Sequence, residues 1–340
     1  MLAAAPDRPD VLITSAARKV LLVTAFREAA ARLGSGRVVA ADISPYAAAL
    51  YAADAARLIP RSDAPSFVDT LLRICDAERI GLLVPTRDEE LPILAAARDR
   101  FAAAGTVVLV SAPDAVDACR DKRRFVDAVR AAGLDTPTVY PDAAAVRYPA
   151  FVKPRWGKGG RGALKVTDAS ELDAAIAAIH GEAGDADGPG DVVIQAFVDA
   201  PEYTLDVFID FDGRPISCVP RERVAVLAGE SIVGRTVRDP VLTAATLRLC
   251  AALGLVGHLT VQAFRTPEAV AFIEINPRYG GAANLGFAAG APTPEFAMRA
   301  ARGERLEARL DDYEVGLMLF RHTADLFVRE TDLVHGEPGS

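Results

Sequence analysis

The chain is poor in the residues that announce several kinds of function. Its four cysteines, Cys75, Cys119, Cys218 and Cys250, are scattered through 340 residues with no CxxC pair and no companion histidine spacing. That pattern gives neither a disulfide framework nor a zinc site, and it fits a reducing cytoplasm. The longest notable uncharged stretch, residues 279–294, is rich in Gly and Pro and too short to span a bilayer. Residues 1–10, MLAAAPDRPD, show no basic region followed by an apolar run, so a cytoplasmic protein with no membrane partner is expected. The 38 basic residues stand against 46 acidic ones, a net charge of -8, which offers no electrostatic grip on nucleic acid. The first turn carries no GxGxxG fingerprint, no GxxxxGK[ST] loop occurs, and neither GLLVP nor SAPD makes a nucleophile elbow.

What is present is a chain 51% hydrophobic and 25% charged, long enough for two or three domains with a substantial core. The first third alternates short β-rich runs (VLITSA, RVVAADIS, IGLLVPT, TVVLVS) with Ala-rich helical ones (VLLVTAFREAAARLG, LPILAAARDRFAAAG). This implies βαβ units and a parallel sheet covered on both faces, an α/β, Rossmann-like domain over residues 1–112. Pro113 and Asp114 mark a break, after which DAVDACRDKRRFVDAVRAAGL reads as helices ended by Gly133. From Pro149 strands and hairpins dominate: AFVKP, ALKVT, DVVIQAFV, YTLDVFID and VGLMLFRHT, with the helices ASELDAAIAAIH and DPVLTAATLRLCAALG. That segregation predicts an α+β unit, a small subdomain over 113–190 and a larger one over 191–340.

The segment FIEINPRYGGAA places Glu274, Asn276 and Arg278 on one face of a strand, with Ile273, Ile275 and Pro277 on the other. A hairpin turning at RTPEAV brings Gln262 of GHLTVQAF opposite Glu274. One carboxylate and two amides suit magnesium, which completes its octahedron with water and substrate phosphates; the alternative is a half-solvated edge strand. FVKPRWGKGGRG puts Lys153 at a strand end before a loop with four glycines, a phosphate-cradle pattern that a glycine-rich hairpin turn also produces. In VIQAFVDAPEYTLDVF, Gln195 ends one strand and Glu202 opens another, with Phe197 and Val198 between them.

In this order, Lys122, Lys153, Gly159, Gly160, Gln195, Glu202, Gln262, Glu274, Asn276 and Arg278 resemble the ATP-grasp superfamily. Within it the chain looks most like the ATP-binding half of carbamoyl phosphate synthetase large chain and similar carboxylate-amine ligases. The resemblance implies a Rossmann-like domain followed by a two-subdomain ATP-grasp fold. It implies that Lys122 and Lys153 contact nucleotide phosphates under a mobile loop at Gly159 and Gly160. Gln195 and the backbone to Phe197 or Val198 would read adenine, Glu202 the ribose, and Gln262, Glu274 and Asn276 would hold magnesium, with manganese as the alternative ion.

Two departures bear on the substrate. Gln195 stands where many relatives have Glu, and Gly280 and Gly281 follow Arg278 where the synthetase pattern has a second arginine. The expectation is therefore a larger carboxylate than bicarbonate, joined to an amine through an acyl phosphate, with amino acids among the candidate substrates. Arg278 and Lys153 would stabilise the transferring phosphoryl group. Arg221 and Arg223, ahead of Arg235 and Arg238 in one basic segment, are first choices for the substrate carboxylate. Asp88 or Glu89, at the end of a predicted strand, would fix an ammonium or cap a helix, the cap being the expected role of Asp88. The rival readings are an ATP-binding sensor without turnover and an NAD-dependent dehydrogenase. A homodimer is the family-level expectation.

Overall fold

The computed structural model describes residues 8–157, 162–182, 192–227 and 229–335. Gly159 and Gly160 lie outside the described residues.

The first five strands, β1 (Asp10–Ile13), β2 (Val38–Asp42), β3 (Ala55–Leu58), β4 (Ile80–Val84) and β5 (Val107–Val108), form a parallel sheet in the order β3-β2-β1-β4-β5. Alternate residues supply two cores. Val11, Ile13 and Val38 pack on one side of the sheet, and Leu12, Val39 and Leu83 on the other. The sequence reading missed β3, whose AARL has no β-branched residue and lies at the sheet edge. The run read as one helix from Leu91 is two, Leu91–Ala96 and Arg98–Ala103.

An antiparallel sheet, β7-β6-β8, follows, made of β6 (Ala150–Pro154), β7 (Leu164–Val166) and β8 (Val192–Ala196). The helix Ala169–Glu182 covers one of its faces, with Leu172 and Ile179 against Ala150, Val152 and Ile194. β8 pairs along the whole of β6, so this sheet extends past residue 190. The helices Pro113–Arg120 and Lys122–Ala131 place Cys119, Phe125 and Val129 in the core of the next sheet.

That sheet is antiparallel and six-stranded: β9 (Glu202–Ile209), β10 (Pro215–Leu227), β11 (Glu230–Thr236), β12 (Gly257–Arg265), β13 (Val270–Asn276) and β14 (Met318–Phe320), in the order β13-β12-β9-β10-β11-β14. Leu205, Val207, Leu259, Val261 and Ile275 face the helix Pro240–Ala252 through Leu242 and Leu249. Strand alternation then turns Glu202, Thr204, Asp206, Thr260 and Gln262 to the opposite face. Phe208 and Tyr279 join the core of the first domain, which seats the sheet upon it. Among the described residues no helix is long and apolar enough to cross a membrane, and all four cysteines are buried and free.

Candidate functional site

The hairpin forms in the expected register, Gln262 opposite Glu274 and Thr260 opposite Asn276. Strict alternation along β13 fails at one point. Between Gln262 and Ala263 the partner jumps from Glu274 to Phe272, so Ile273 is an extra residue, a bulge. Phe272 and Ile275, three apart, can therefore both enter the core, while Glu274 stays on the polar face.

The polar groups are linked. Asn276 Nδ2 donates to Glu274 Oε1 at 2.9 Å, and Arg278 Nη2 donates to Asn276 Oδ1 at 3.2 Å. Gln262 Nε2 donates to Glu202 Oε1 at 2.7 Å, and its amide oxygen has no hydrogen-bond donor among the described residues. Arg223 Nε lies 3.0 Å from the same Glu202 oxygen, and its Nη2 donates to Gly229 O at 2.9 Å. Among the described residues no group of three or more His, Cys, Asp or Glu side chains is placed to hold a metal. One carboxylate with two amide oxygens is nonetheless a hard-oxygen set of the kind that binds magnesium when phosphate and water complete the shell.

Across the cleft, Lys153 and Gln195 share the face of the three-stranded sheet turned away from its helix, since Lys153 pairs with Val193 and Phe151 with Gln195. Lys153 is 7% exposed, and among the described residues its ammonium makes no hydrogen bond or ion pair. Burial pushes its pKa down to about 8, with Glu274 opposing and Lys122 adding to the shift. Burial likewise lowers Lys122, against the pull of Glu274, Asp121 and Asp88. Both ammonium groups thus feel the carboxylate of the facing hairpin. Lys122 opens its helix behind the N-cap Asp121, which accepts from Arg123 N at 2.9 Å and binds Arg155 through Nε at 2.7 Å. Lys122 Nζ donates to Gly157 O at 2.9 Å, tying the helix start to the segment after β6.

The end of β8 and the residue after it are held by backbone bonds: Ala196 N donates to Thr138 O at 2.8 Å and Phe197 N to Pro149 O at 3.2 Å. Val198 follows it, half-buried. Lys165, which the sequence reading did not single out, lies opposite Phe151 and holds its ammonium 4.0 Å from the centre of the Phe197 ring. The alternation of ALKVT beside AFVKP was the available signal.

Other expected residues are placed elsewhere. Arg221 is 2% exposed and spends its guanidinium on Asp206, Nε to Oδ2 at 2.6 Å and Nη2 to Oδ1 at 3.1 Å, so the expectation that it holds the substrate carboxylate is corrected. His258 Nε2 lies 3.8 Å from that same Asp206. Burial first, then Arg221 and Arg278, lower the His258 pKa to about 3, so its ring is neutral. Arg235 pairs with Glu222 and Arg238 with Asp311. Asp88 is not the cap of the next helix, whose N-cap is Glu90; it binds Arg278, accepting from Nε at 3.0 Å and Nη2 at 2.8 Å. Glu89 pairs with Arg87.

Gly280 also has a different reason from the one the sequence suggested. A Cβ there would lie 2.6 Å from Thr260 Oγ1, the hydroxyl that donates to Arg278 O at 3.1 Å, so glycine lets the turn sit on β12. Arg321, beyond β14, donates to Gly281 O. A guanidinium therefore occupies the neighbourhood in which the sequence showed none.

Residues 11–109 match the family model described as the PylC-like N-terminal domain, and residues 119–282 the one described as the ATP-grasp domain. The carbamoyl phosphate synthase large chain of Vibrio cholerae is 29% identical over 227 residues, 60% of this chain and 20% of that protein. That of Methanosphaerula palustris is 28% identical over 238 residues, 64% of this chain and 22% of that protein. The chain thus spans about a fifth of these relatives. Among solved structures, the biotin carboxylase domain of Hydrogenobacter thermophilus 2-oxoglutarate carboxylase superposes with a TM-score of 0.74 at 18% identity, over 91% of this chain and 73% of that one. N5-carboxyaminoimidazole synthetase of Staphylococcus aureus gives 0.70 at 14%, over 88% and 78%; both likenesses concern the fold. The chain thus carries an ATP-grasp domain over residues 119–282 behind a PylC-like N-terminal domain over residues 11–109.

Proposed function

We propose that the protein is an ATP-dependent carbon-nitrogen ligase, which activates a small-molecule carboxylate as an acyl phosphate and transfers the acyl group to an amine, releasing ADP and phosphate. The observation that carries this reading is Lys153, a buried ammonium with no partner among the described residues, whose pKa feels the carboxylate of Glu274 on the hairpin. A cation in that position is costly unless an anion joins it, and a nucleotide phosphate does so.

In this reading Lys122 and Lys153 hold the phosphates, Gly159 and Gly160 belong to the loop over them, and Gln195 with Phe197 and Val198 lines the adenine. Glu202, steadied by Gln262 and Arg223, takes the ribose. Gln262, Glu274 and Asn276 hold magnesium or manganese, which supplies charge neutralisation on the phosphates when bound. Arg278, next to Asn276, stabilises the transferring phosphoryl group, so catalysis is positioning and electrostatics without a covalent protein nucleophile. Arg223 acts through Glu202, not on the substrate carboxylate. Assembly as a cytoplasmic homodimer belongs to the same proposal; the Hydrogenobacter neighbour is described as a dimer.

A second reading has bicarbonate as the carboxylate, named with the same neighbour. Arg321 at Gly281 favours it, because the case against bicarbonate rested on a missing arginine. ADP release with magnesium-ATP and pools of amino acids, other carboxylates or bicarbonate, with hydroxylamine trapping, tests both readings. Hydroxamate formation supports the acyl phosphate, bicarbonate-dependent ADP release the second reading, and ATP binding without turnover on any pool a sensor.

A further inference from the structure

The order of the parallel sheet reverses between β1 and β4, and the crevice at the carboxyl ends of such strands is where open α/β sheets receive ligands. Here it is built by residues 14–19 after β1 and the segment after β4. Ser15 and Ala17 adopt φ of 47° and 46° without being glycine, a backbone that surrounding contacts must enforce. Thr14 Oγ1 donates to Glu90 Oε2 at 3.0 Å, and the Ser15 hydroxyl donates to the other oxygen of that carboxylate. Thr86 Oγ1 lies 2.8 Å from both Thr14 O and Ser15 O, and Ala17 N donates to Asp42 Oδ2 at 2.8 Å.

Those contacts commit Glu90 and Asp42, the two carboxylates that act electrostatically on Lys19, the residue that leaves the loop. Arg87 and Arg278 also act on Lys19, and each already has its own carboxylate, Glu89 and Asp88. Lys19 has none: its bond is to Ser15 O at 3.4 Å, and among the described residues it forms no ion pair. It is half-buried, with its ammonium at the carbonyl of the loop after β1.

We propose that this crevice is a second anion site, distinct from the nucleotide phosphates, in which Lys19 holds a carboxylate or phosphate group of the substrate. Arg278 joins the two sites, touching Asn276 on one side and Asp88 on the other, so an anion seated at Lys19 leaves the rest of its molecule next to the phosphoryl group in transfer. Calling that molecule the substrate rests on the ligase reading; the anion site does not. Burial, reinforced by Arg278, also draws the Lys19 pKa down to about 8, as expected of an ammonium whose counter-ion comes from outside. The site is specific to a substrate bearing an anion besides its reacting group.

The full chain, with its nucleotide site filled by the magnesium complex of a non-hydrolysable ATP analogue, is titrated calorimetrically with L-glutamate in one arm and ribose 5-phosphate in the other. The wild type is expected to bind in one arm, which names the anion as carboxylate or phosphate. Lys19→Gln weakens that binding about tenfold or more and Lys19→Arg restores most of it, with analogue affinity equal in all three proteins. Binding in neither arm, equal binding by Lys19→Gln, or loss of analogue binding along with it, overturns the proposal. No turnover is read, so failure of the anion site and failure of the ligase reading are separate results.

Discussion

Asp88 and Arg278, 190 positions apart in sequence, are joined by two parallel hydrogen bonds of 3.0 and 2.8 Å. A residue at the mouth of the parallel sheet thereby aims the guanidinium that follows the β12–β13 hairpin. Asp88→Asn removes the charge and half of the fork while leaving the nucleotide contacts alone. Its ADP-release rate is expected to fall about ten- to a hundredfold with nucleotide affinity unchanged; an unaltered rate would separate Arg278 from catalysis.

Lys153 supplies a pH dependence whose sign is fixed. Its pKa is lowered from the usual 10.5 to about 8 in the folded chain, so between these values the unfolded chain binds more protons. Stability therefore rises with pH across that window, and the cost of burying the ammonium is fully present below about pH 8. Lys153→Met is expected to raise the thermal midpoint of the nucleotide-free chain at pH 7 and to weaken ATP binding at least about tenfold. Wild-type ATP affinity falls as pH climbs through about 8. Thermal unfolding and calorimetry from pH 6 to roughly 10 check both signs.

Arg221 is expected to behave as a structural residue. Removing one partner of a buried ion pair costs about 3–5 kcal/mol, whereas replacing both with apolar groups recovers much of it. Arg221→Ala should lower the urea midpoint steeply, and Arg221→Met with Asp206→Leu should restore it. A stable Arg221→Ala protein with a raised KM for its carboxylate would return Arg221 to the substrate.

Glu202 is steadied by Gln262 at 2.7 Å and Arg223 at 3.0 Å, and a fixed acceptor discriminates between a ribose hydroxyl and its absence. Glu202→Ala is expected to erase most of the preference for ATP over 2′-deoxyATP, about tenfold in affinity. If the preference survives intact, the ribose lies elsewhere.

The parts legible in the sequence were those set by short-range periodicity. The register of Gln262 on Glu274 follows from one tight hairpin, and Lys153 is marked by a strand end meeting glycines. The bulge at Ile273 was hidden because alternation assumes one residue per step. Arg221 and Arg223 occupy one face of β10, so no strand pattern separates them. Only the pairing of β9 with β10 sets Arg221 beside Asp206 and Arg223 beside Glu202. Asp88 read as a cap because its partner stands 190 residues away, and Arg321 and Lys19 depend on packing between distant segments.

In the proposed reaction Glu274, with the metal ion it would hold, serves phosphoryl transfer opposite Lys153. Magnesium-dependent ADP release, measured on wild type and Glu274→Ala with the same substrate pool, tests it most directly. Release by the wild type, a fall of at least about a thousandfold in the variant, and equal thermal stability of the two nucleotide-free proteins are expected. Undiminished ADP release by folded Glu274→Ala would contradict it.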